Sequence, residues 1–297
     1  MRDKSRESSV TGEPDLVGRH YDRICDLETS RLEKWSPVEY RITLRYLSRY
    51  LPDGSVVAEV GVGGGLYSEH LLRRGCTLHL VDVSRKLIEA TVVRLREKGL
   101  FSGVASVTHA SATEMAFLAD GTVDAVLCLG PLYHLSTLEQ RQAAVAEARR
   151  VLKQGGLLFA AGINRLGYLR EMFRPLDIAG MESLFREMQG LFRRELRERT
   201  FPSEYIATGR LDPKHAPPIG YAHMTTVDEF CQLFVNDFEE LQLIGLESFT
   251  SPAPDHLPNE PAEDQELWLD LVEITGATKE GMACSDHFLY IGRKRRE

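Results

Sequence analysis

The strongest chemical signal in the sequence is a glycine-rich segment, residues 57–65, which reads VAEVGVGGG. Its alternate glycines are Gly61, Gly63 and Gly65. It follows an apolar run typical of a buried strand and precedes a helical pattern, so bare backbone and free helix amides can lie against a ligand. Asp82 ends the next apolar run, 23 residues after Glu59, where an acid can accept hydrogen bonds from both ribose hydroxyls. These residues predict a site for a nucleoside-containing cofactor.

A dinucleotide site, as in a nicotinamide oxidoreductase, is the main alternative for this segment. The pattern GxGxxG needs a glycine where the chain has Leu66, if counting starts at Gly61, or Ser68, if it starts at Gly63. Glu59, directly before the glycines, would face an anionic pyrophosphate in such a site. S-adenosylmethionine presents an ammonium group instead, and a carboxylate is favourable beside it. The segment therefore favours S-adenosylmethionine over NAD.

Strand and helix patterns alternate around this segment. Apolar runs predict strands at 56–60, 77–83, 105–110, 123–129 and 157–161, with helices between them at 66–74, 84–98 and from a Ser136/Glu139 capping box to 155–156. A preceding helix is predicted to begin at Ser36, with Pro37 in its first turn and Glu39 completing a capping box. This alternation predicts right-handed βαβ units in a doubly wound sheet.

The alternation breaks after Ala161, and this break suggests a division of the chain. Residues 163–200 read as two helices, 201–224 as a loop, and a helix begins at a Thr226/Glu229 capping box; two strands, 241–249 and 287–291, follow. We predict an N-terminal lid segment (1–35), a cofactor-binding core (36–162), a helical cap (163–225) and a C-terminal completion of the sheet (226–297). Helices inserted after a fifth strand can cover the sheet edge where ligands bind.

Residues 56–161 resemble a class I S-adenosylmethionine-dependent methyltransferase of the common bacterial small-molecule branch. The resemblance rests on Glu59 with the three glycines, Asp82, the VDAVLCL strand ending at Leu129, the GGLL turn at 155–158 and the final strand at His287. It implies that the glycine motif holds the methionine portion of the cofactor, that Asp82 binds the ribose and that the fourth strand passes beneath the sulfonium. It also implies a Rossmann-like, seven-stranded, mostly parallel sheet with an antiparallel last strand.

Two positions depart from the family's pattern. The acid that usually contacts the adenine amino group is missing, so Ser111 would have to take that role. The fourth motif reads Gly130-Pro131-Leu132-Tyr133, whereas enzymes that methylate amide or nucleobase nitrogen usually carry Asn or Asp, then Pro-Pro and an aromatic residue. Gly130 offers no side chain for that nitrogen, and this excludes that chemistry.

Methyl transfer needs alignment, and a general base only if the acceptor is protonated. His134, just beyond the fourth strand, is the candidate base, although it can equally tie the loop to the next helix. Tyr133 either contacts the acceptor or packs. Tyr67 and Tyr21 are predicted to approach the cofactor, the latter from an N-terminal lid; packing is the alternative for Tyr21. His223 is a weaker candidate that suits a capping role.

The predicted cap supplies side chains that suit an apolar acceptor: Met172, Phe173, Met181, Phe185 and Met188. We therefore expect the chain to methylate a small, partly apolar molecule held beside Tyr133 and His134, with oxygen favoured as the methylated atom. A cofactor-binding module or pseudo-enzyme without methyl transfer remains the alternative, and a nicotinamide oxidoreductase is a third. The sequence leaves the acceptor and the oligomeric state open.

Composition limits the possible partners. The net charge is −8, which disfavours nucleic acid and anionic membranes, and the basic run at 293–296 reads as a solubilising end. The five cysteines are scattered without a CxxC pair, so we expect neither disulfides nor a metal site and place the chain in a reducing cytoplasm. We expect no signal peptide and no membrane span, because no sufficiently long apolar run occurs.

Overall fold

The computed structural model describes residues 13–173, 182–200, 202–216, 219–253 and 255–296. The strands of its main sheet are β1 (Val56–Val60), β2 (Thr77–Asp82), β3 (Val104–His109), β4 (Val123–Cys128), β5 (Leu152–Ile163), β8 (Phe238–Gly245) and β9 (His287–Lys294). A separate two-stranded ribbon joins β6 (Arg210–Leu211) to β7 (Ala222–His223). The helices are α1 (Glu13–Lys34), α2 (Pro37–Tyr50), α3 (Leu66–Arg73), α4 (Arg85–Glu97), α5 (Leu138–Val151), α6 (Arg165–Phe173), α7 (Glu182–Glu198), α8 (Pro202–Thr208), α9 (Val227–Gln232), α10 (Ala262–Gly276) and α11 (Lys279–Cys284).

The main sheet has the order β3-β2-β1-β4-β5-β9-β8. β9 is antiparallel to both of its neighbours, and the remaining pairs are parallel. The predicted seven-stranded, mostly parallel sheet with an antiparallel last strand is therefore confirmed. The strand order reverses between β1 and β4, so their carboxyl ends open a crevice at the position where doubly wound sheets bind ligands.

Both faces of the sheet are buried, which is why its central strands are almost continuously apolar. Along β4, Ala125 and Leu127 join one hydrophobic cluster while Val126 and Cys128 join the cluster on the opposite face. This period-two alternation fixes the register of the central strands. It also fixes the sheet edge at which the loops after β1, β2 and β4 meet.

Two of the three predicted capping boxes differ from the structure. The box at Thr226 and Glu229 is formed as predicted. The box before α5 lies one residue later than predicted, because Thr137 has the extended backbone that lets its hydroxyl accept from Gln140. Ser36 makes no side-chain cap bond at α2, since Arg31 bonds both its hydroxyl and the Glu39 carboxylate.

The segment predicted as the cap forms its own hydrophobic cluster. Met172, Phe185 and Met188 are buried there, but Phe173 is 90% exposed, contrary to its predicted place in a pocket, because it ends α6 and points to solvent. Met181 lies outside the described residues. The predicted loop 201–224 contains α8 and the β6–β7 ribbon, and the buried Tyr205 hydroxyl fastens α8 to the carbonyl of Arg165 at 2.6 Å.

Among the described residues, no helix combines the length and apolar character needed to cross a membrane. The cysteines are free thiols.

Candidate functional site

A cavity of about 110 Å³ opens at the carboxyl ends of β1, β2 and β4, and we call it the cofactor cavity. Its wall includes nine predicted site residues: Tyr21, Gly61, Gly63, Tyr67, Asp82, Ser111, Leu129, Tyr133 and His134. Tyr21 comes from α1, and the other eight lie at the ends of strands β1 to β4 or in the segments that follow them. The two predicted residues that do not line the cavity are Glu59 and Gly65.

The glycine loop needs its glycines for conformation and for space. Gly61, Gly63 and Gly65 have φ values of 81°, 52° and 76°, a region that L side chains rarely adopt. A side chain on Gly65 would also lie 2.8 Å from Thr91 of α4, so this glycine serves helix–loop packing. Gly61 and Gly63 expose their backbone to the cavity.

Asp82 is positioned by backbone amides. Its Oδ1 accepts from the Ser84 amide at 2.8 Å and its Oδ2 from the Gly63 amide at 3.4 Å. Burial raises the pKa of Asp82 to about 6, although these amides oppose the shift. The carboxylate is thus fixed on the cavity wall as an acceptor for vicinal hydroxyls.

Glu59 lies behind the glycine loop instead of on the cavity wall. It is only 2% exposed, and its Oε2 accepts from the Ser68 hydroxyl at 2.5 Å. Its Oε1 has no hydrogen-bond partner among the described residues. Burial raises the pKa of Glu59 to about 8, so this carboxyl holds its proton at neutral pH. The structure therefore places Asp82 on the cavity wall and Glu59 behind it.

Ser111 and Leu129 line the cofactor cavity. The Ser111 hydroxyl is already hydrogen-bonded to the Thr113 hydroxyl at 2.9 Å, and it also accepts from the Thr113 amide. Tyr67, in the first turn of α3, is buried and lines the same cavity. Contact of Ser111 with adenine, and of Leu129 and Tyr67 with the cofactor, stays a prediction.

Tyr21 and His134 form a buried hydrogen-bonded pair. His134 Nδ1 lies 2.9 Å from the carbonyl of Tyr221, which can only accept, so Nδ1 carries the proton. Nε2 then accepts from the Tyr21 hydroxyl at 2.8 Å. Burial lowers the pKa of His134 to about 4, so the ring is neutral at pH 7. The pair joins the N-terminal helix to the turn after β4.

A second cavity, of about 250 Å³, adjoins the first, and we call it the acceptor cavity. The residues that line both cavities are Tyr21, Glu28, Arg31 and Tyr133. The acceptor cavity is otherwise largely apolar, with Trp35 from the α1–α2 junction and Phe185 and Met188 from α7. The Tyr133 ring is buried, and burial raises the pKa of its hydroxyl far above the usual range. Two compartments thus meet at one narrow set of polar and aromatic side chains.

Sequence reasoning missed Glu28 and Arg31. Arg31 donates to Glu28 at 3.1 Å and to Glu39 at 3.0 Å, and it lines both cavities. A signal was present, because Glu28 lies seven residues after Tyr21, about two helical turns, and both line the cofactor cavity although α1 is kinked at Ile24. Charged residues on the inward side of an amphipathic helix indicate a binding surface. A search for hydrophobic periodicity alone does not detect them.

His223, the weaker candidate, lies elsewhere. It pairs with Arg210 in the β6–β7 ribbon and lines a separate pocket beside Arg141 and Glu229. It caps no helix, since Thr226 caps α9. The structure therefore does not bring His223 to the cofactor cavity.

Comparison with known proteins matches residues 58–160 to a family model described as a methyltransferase domain. The chain is 38% identical over 128 residues to a ubiquinone biosynthesis O-methyltransferase of Xylella fastidiosa (strain 9a5c), covering 42% of this chain and 48% of that protein. It is 31% identical over 115 residues to the Caulobacter vibrioides protein of the same name, covering 38% of this chain and 42% of the relative. The chain thus spans about half the length of these relatives, or less.

Two solved structures share the fold over nearly the whole chain. The [4+2]-cyclase SpnF superposes with a TM-score of 0.60 at 17% identity, covering 97% of this chain and 98% of SpnF. The N-methyltransferase NodS of Bradyrhizobium japonicum WM9, in complex with S-adenosyl-L-homocysteine, superposes with a TM-score of 0.53 at 14% identity, covering 93% and 100%. At such identities the likeness establishes the fold alone.

Proposed function

We propose that this chain is a class I S-adenosylmethionine-dependent methyltransferase that transfers the methyl group to an oxygen atom of a small, partly apolar acceptor. The match of residues 58–160 to a methyltransferase domain supports the proposal. The observation that carries the proposal is the meeting of two cavities at Tyr21 and Tyr133. One cavity has the glycine loop and the ribose acid, and the other has an apolar wall. A methyl donor and an acceptor need this arrangement, because the reacting atoms must lie in line across a single boundary.

The residues of the cofactor cavity fit S-adenosylmethionine. Asp82 suits the ribose hydroxyls, and the backbone of Gly61 and Gly63 leaves room for the methionine portion. Arg31 suits the carboxylate of that portion and Glu28 its ammonium group, since the two charges lie side by side on the cavity wall. When bound, the cofactor supplies a methyl group activated by its sulfonium.

Tyr21 and His134 can receive the acceptor's proton. The Tyr21 hydroxyl donates to His134 Nε2, so its oxygen keeps lone pairs free for an acceptor hydroxyl at the junction. The acceptor proton would pass to the Tyr21 oxygen as the Tyr21 proton moves to His134 Nε2, which leaves His134 as an imidazolium. Because the pKa of His134 is low, the proton transfer to His134 proceeds only as the acceptor oxygen gains its methyl group and its hydroxyl becomes a strong acid.

Two observations support oxygen as the methylated atom and an apolar body for the methyl acceptor. The curated relatives described above are named O-methyltransferases. The acceptor cavity is lined by aromatic and aliphatic side chains, which bind an apolar body by burying it from water.

The test is formation of S-adenosyl-L-homocysteine from S-adenosylmethionine with matched acceptors. Phenols, alkyl alcohols and amines with the same apolar bodies are compared under one set of conditions. The proposal predicts turnover with a hydroxyl compound and methylation of its oxygen, identified by mass spectrometry. Turnover restricted to amines would contradict the choice of oxygen. Stoichiometric binding of S-adenosyl-L-homocysteine without turnover on any acceptor would instead identify a cofactor-binding module.

A further inference from the structure

Three titratable side chains meet beside the acceptor cavity: Glu39, Glu247 and His287. Glu247 and His287 line that cavity, whereas Glu39 lines the cofactor cavity. We call them the floor triad. Glu247 is buried, and its Oε1 accepts from His287 Nδ1 at 2.6 Å. Its Oε2 accepts from the backbone amides of Asp286 at 3.1 Å and His287 at 2.9 Å. Glu39 Oε2 lies 3.8 Å from the same Nδ1 and bonds Arg31 on its other side.

These contacts fix the protonation of His287. Burial alone would lower the pKa of its imidazole, but the carboxylates of Glu39 and Glu247 raise it to about 9. Burial raises the pKa of Glu247, while three N–H donors on its oxygens favour the carboxylate. Arg31 and His287 hold the pKa of Glu39 below its usual value, against the opposing effect of burial. His287 is therefore an imidazolium at neutral pH.

The remaining nitrogen of His287 is available to a ligand. Nε2 makes no hydrogen bond to any described residue, and His287 lines the acceptor cavity but not the cofactor cavity. Because both ring nitrogens of an imidazolium carry a proton, Nε2 can only donate. A ligand that satisfies it must present a hydrogen-bond acceptor atom.

The charge of the cavity wall decides which acceptor atom is favoured. Its positive side chains are Arg31 and His287, whereas its acids are Glu28, Glu171, Glu247 and Asp286. Asp286 is paired with Arg170 at 2.6 Å, which offsets one of these acids. Glu247 already balances the charge of the imidazolium, so a carboxylate on the ligand would gain no net attraction there. The imidazolium disfavours a cation beside it, so a neutral oxygen fits best.

We propose that His287 binds a neutral carbonyl or ether oxygen of the methyl acceptor, an oxygen distinct from the one that is methylated. The inference rests on the proposed function and names the acceptor class: an apolar body that carries a second oxygen. Glu247 and Glu39 act as positioning residues, because they keep the ring charged and its Nε2–H free. A divalent cation held by the floor triad is the competing occupant, but it would have to displace the Nδ1 proton and share Glu39 with Arg31.

The test uses four probes of similar size with the chain saturated by S-adenosyl-L-homocysteine: acetophenone, cumene, benzoate and benzylamine. Binding is followed by ¹⁵N-histidine NMR. Acetophenone should shift the His287 Nε2 signal and bind about tenfold or more tightly than cumene, the gain expected from one hydrogen bond to a charged donor. H287L should remove this preference, and H287Q, which keeps an N–H donor, should retain most of it. H256Q, at an exposed histidine bonded to Glu260, is the matched control and should change nothing.

Several outcomes would overturn the inference. These are tightest binding of benzoate or benzylamine, no response to acetophenone, and a preference for acetophenone that survives H287L. A His287 Nδ1 signal that shifts on adding Mg²⁺ or Zn²⁺ alone would identify a cation site instead. Binding of S-adenosyl-L-homocysteine and turnover on hydroxyl compounds are measured on the same preparation, so a failure of the proposed function would be seen independently of the result at His287.

Discussion

The cofactor cavity and the acceptor cavity touch, yet they are built in opposite ways. Most of the first is formed by short segments that each follow a strand of one parallel sheet, at Gly61–Gly63, Asp82, Ser111 and Leu129. The second is assembled from α1, α6, α7, the segment before α9, Glu247 and the first residue of β9. The cofactor cavity depends on the edge of the sheet. The acceptor cavity depends on how segments distant in sequence pack over that edge.

This difference shows where each kind of specificity resides. The sheet edge presents backbone and one acid, so it can bind a nucleoside cofactor whatever the acceptor is. The packed segments present side chains such as Phe185 and Met188, and changes there should alter the binding of the acceptor without disturbing the sheet. Mutations should therefore separate into two groups, according to the cavity that they change.

The largest expected effect is that of G63V on the cofactor cavity. A β-branched side chain at φ 52° is strained and enters the space of the cofactor, so binding of S-adenosyl-L-homocysteine should fall below detection in equilibrium dialysis. Circular dichroism should show a retained fold. G121V is the matched control, because Gly121 also has a positive φ of 63° but has nothing within 4 Å of the added carbon. Normal binding by G63V would show that the loop does not hold the cofactor.

Next in size is Y21F, which acts at the boundary between the cavities. Removal of the hydroxyl breaks the bond to His134 and should lower kcat by about a hundredfold on an accepted hydroxyl compound, as loss of a proton-transfer group does. Affinity for S-adenosyl-L-homocysteine should stay close to that of the wild type. A loss of cofactor affinity with kcat retained would assign Tyr21 to the cofactor cavity alone.

D82A should have a smaller effect, confined to the cofactor cavity. It removes an ionised acceptor from the ribose hydroxyls, and binding of S-adenosyl-L-homocysteine should weaken by about tenfold or more in calorimetry. D120A is the control, since Asp120 is an exposed acid paired with Arg150 on the surface. If D82A bound S-adenosyl-L-homocysteine with unchanged affinity, Asp82 would not be the residue that binds the ribose hydroxyls.

The last prediction concerns stability instead of binding or turnover, and it is made at Glu59, which lies behind the cofactor cavity. Its pKa is about 8 in the folded chain against 4.5 for an ordinary glutamate, so the folded state holds a proton that the unfolded state has lost. The stability gained from this carboxyl is therefore complete below pH 4.5 and is lost as the pH rises through about 8. Relative to E59Q, the free energy of unfolding of the wild type should fall by up to about 1.4 kcal/mol per pH unit between pH 5 and 8, as measured by urea unfolding. E263Q, at an exposed glutamate of α10, is the control, and parallel profiles of wild type and E59Q would contradict the protonated state.

The same contrast explains what could be predicted from sequence. The sheet, the glycine loop and Asp82 were predictable, because each depends on a short run of residues with a characteristic spacing. The pairing of Tyr21 with His134 was not, since 113 positions separate the two residues and only the folded chain brings them together. Glu59 shows the limit even within a motif: its spacing suggested contact with the cofactor, while the path of the strand turns its side chain toward Ser68.

The acceptor cavity was predicted only as a composition. Met and Phe residues of the cap indicated an apolar lining, and Phe185 and Met188 lie there. Phe173 does not, because helical periodicity cannot show which side of a short helix faces the cavity. In the sequence, His287 indicates only the start of the last strand. Its neighbours along the chain do not predict contact with the carboxylates of Glu39 and Glu247.

The central claim is that the sheet edge binds S-adenosylmethionine, and calorimetric titration of the purified chain tests it most directly. S-adenosyl-L-homocysteine, titrated into the wild type, should bind with one site per chain, and NAD should give no binding heat under the same conditions. Loss of the S-adenosyl-L-homocysteine signal in G63V, with retention in G121V, would place that site at the glycine loop. Absence of binding to the wild type, or saturable binding of NAD in its place, would contradict the account.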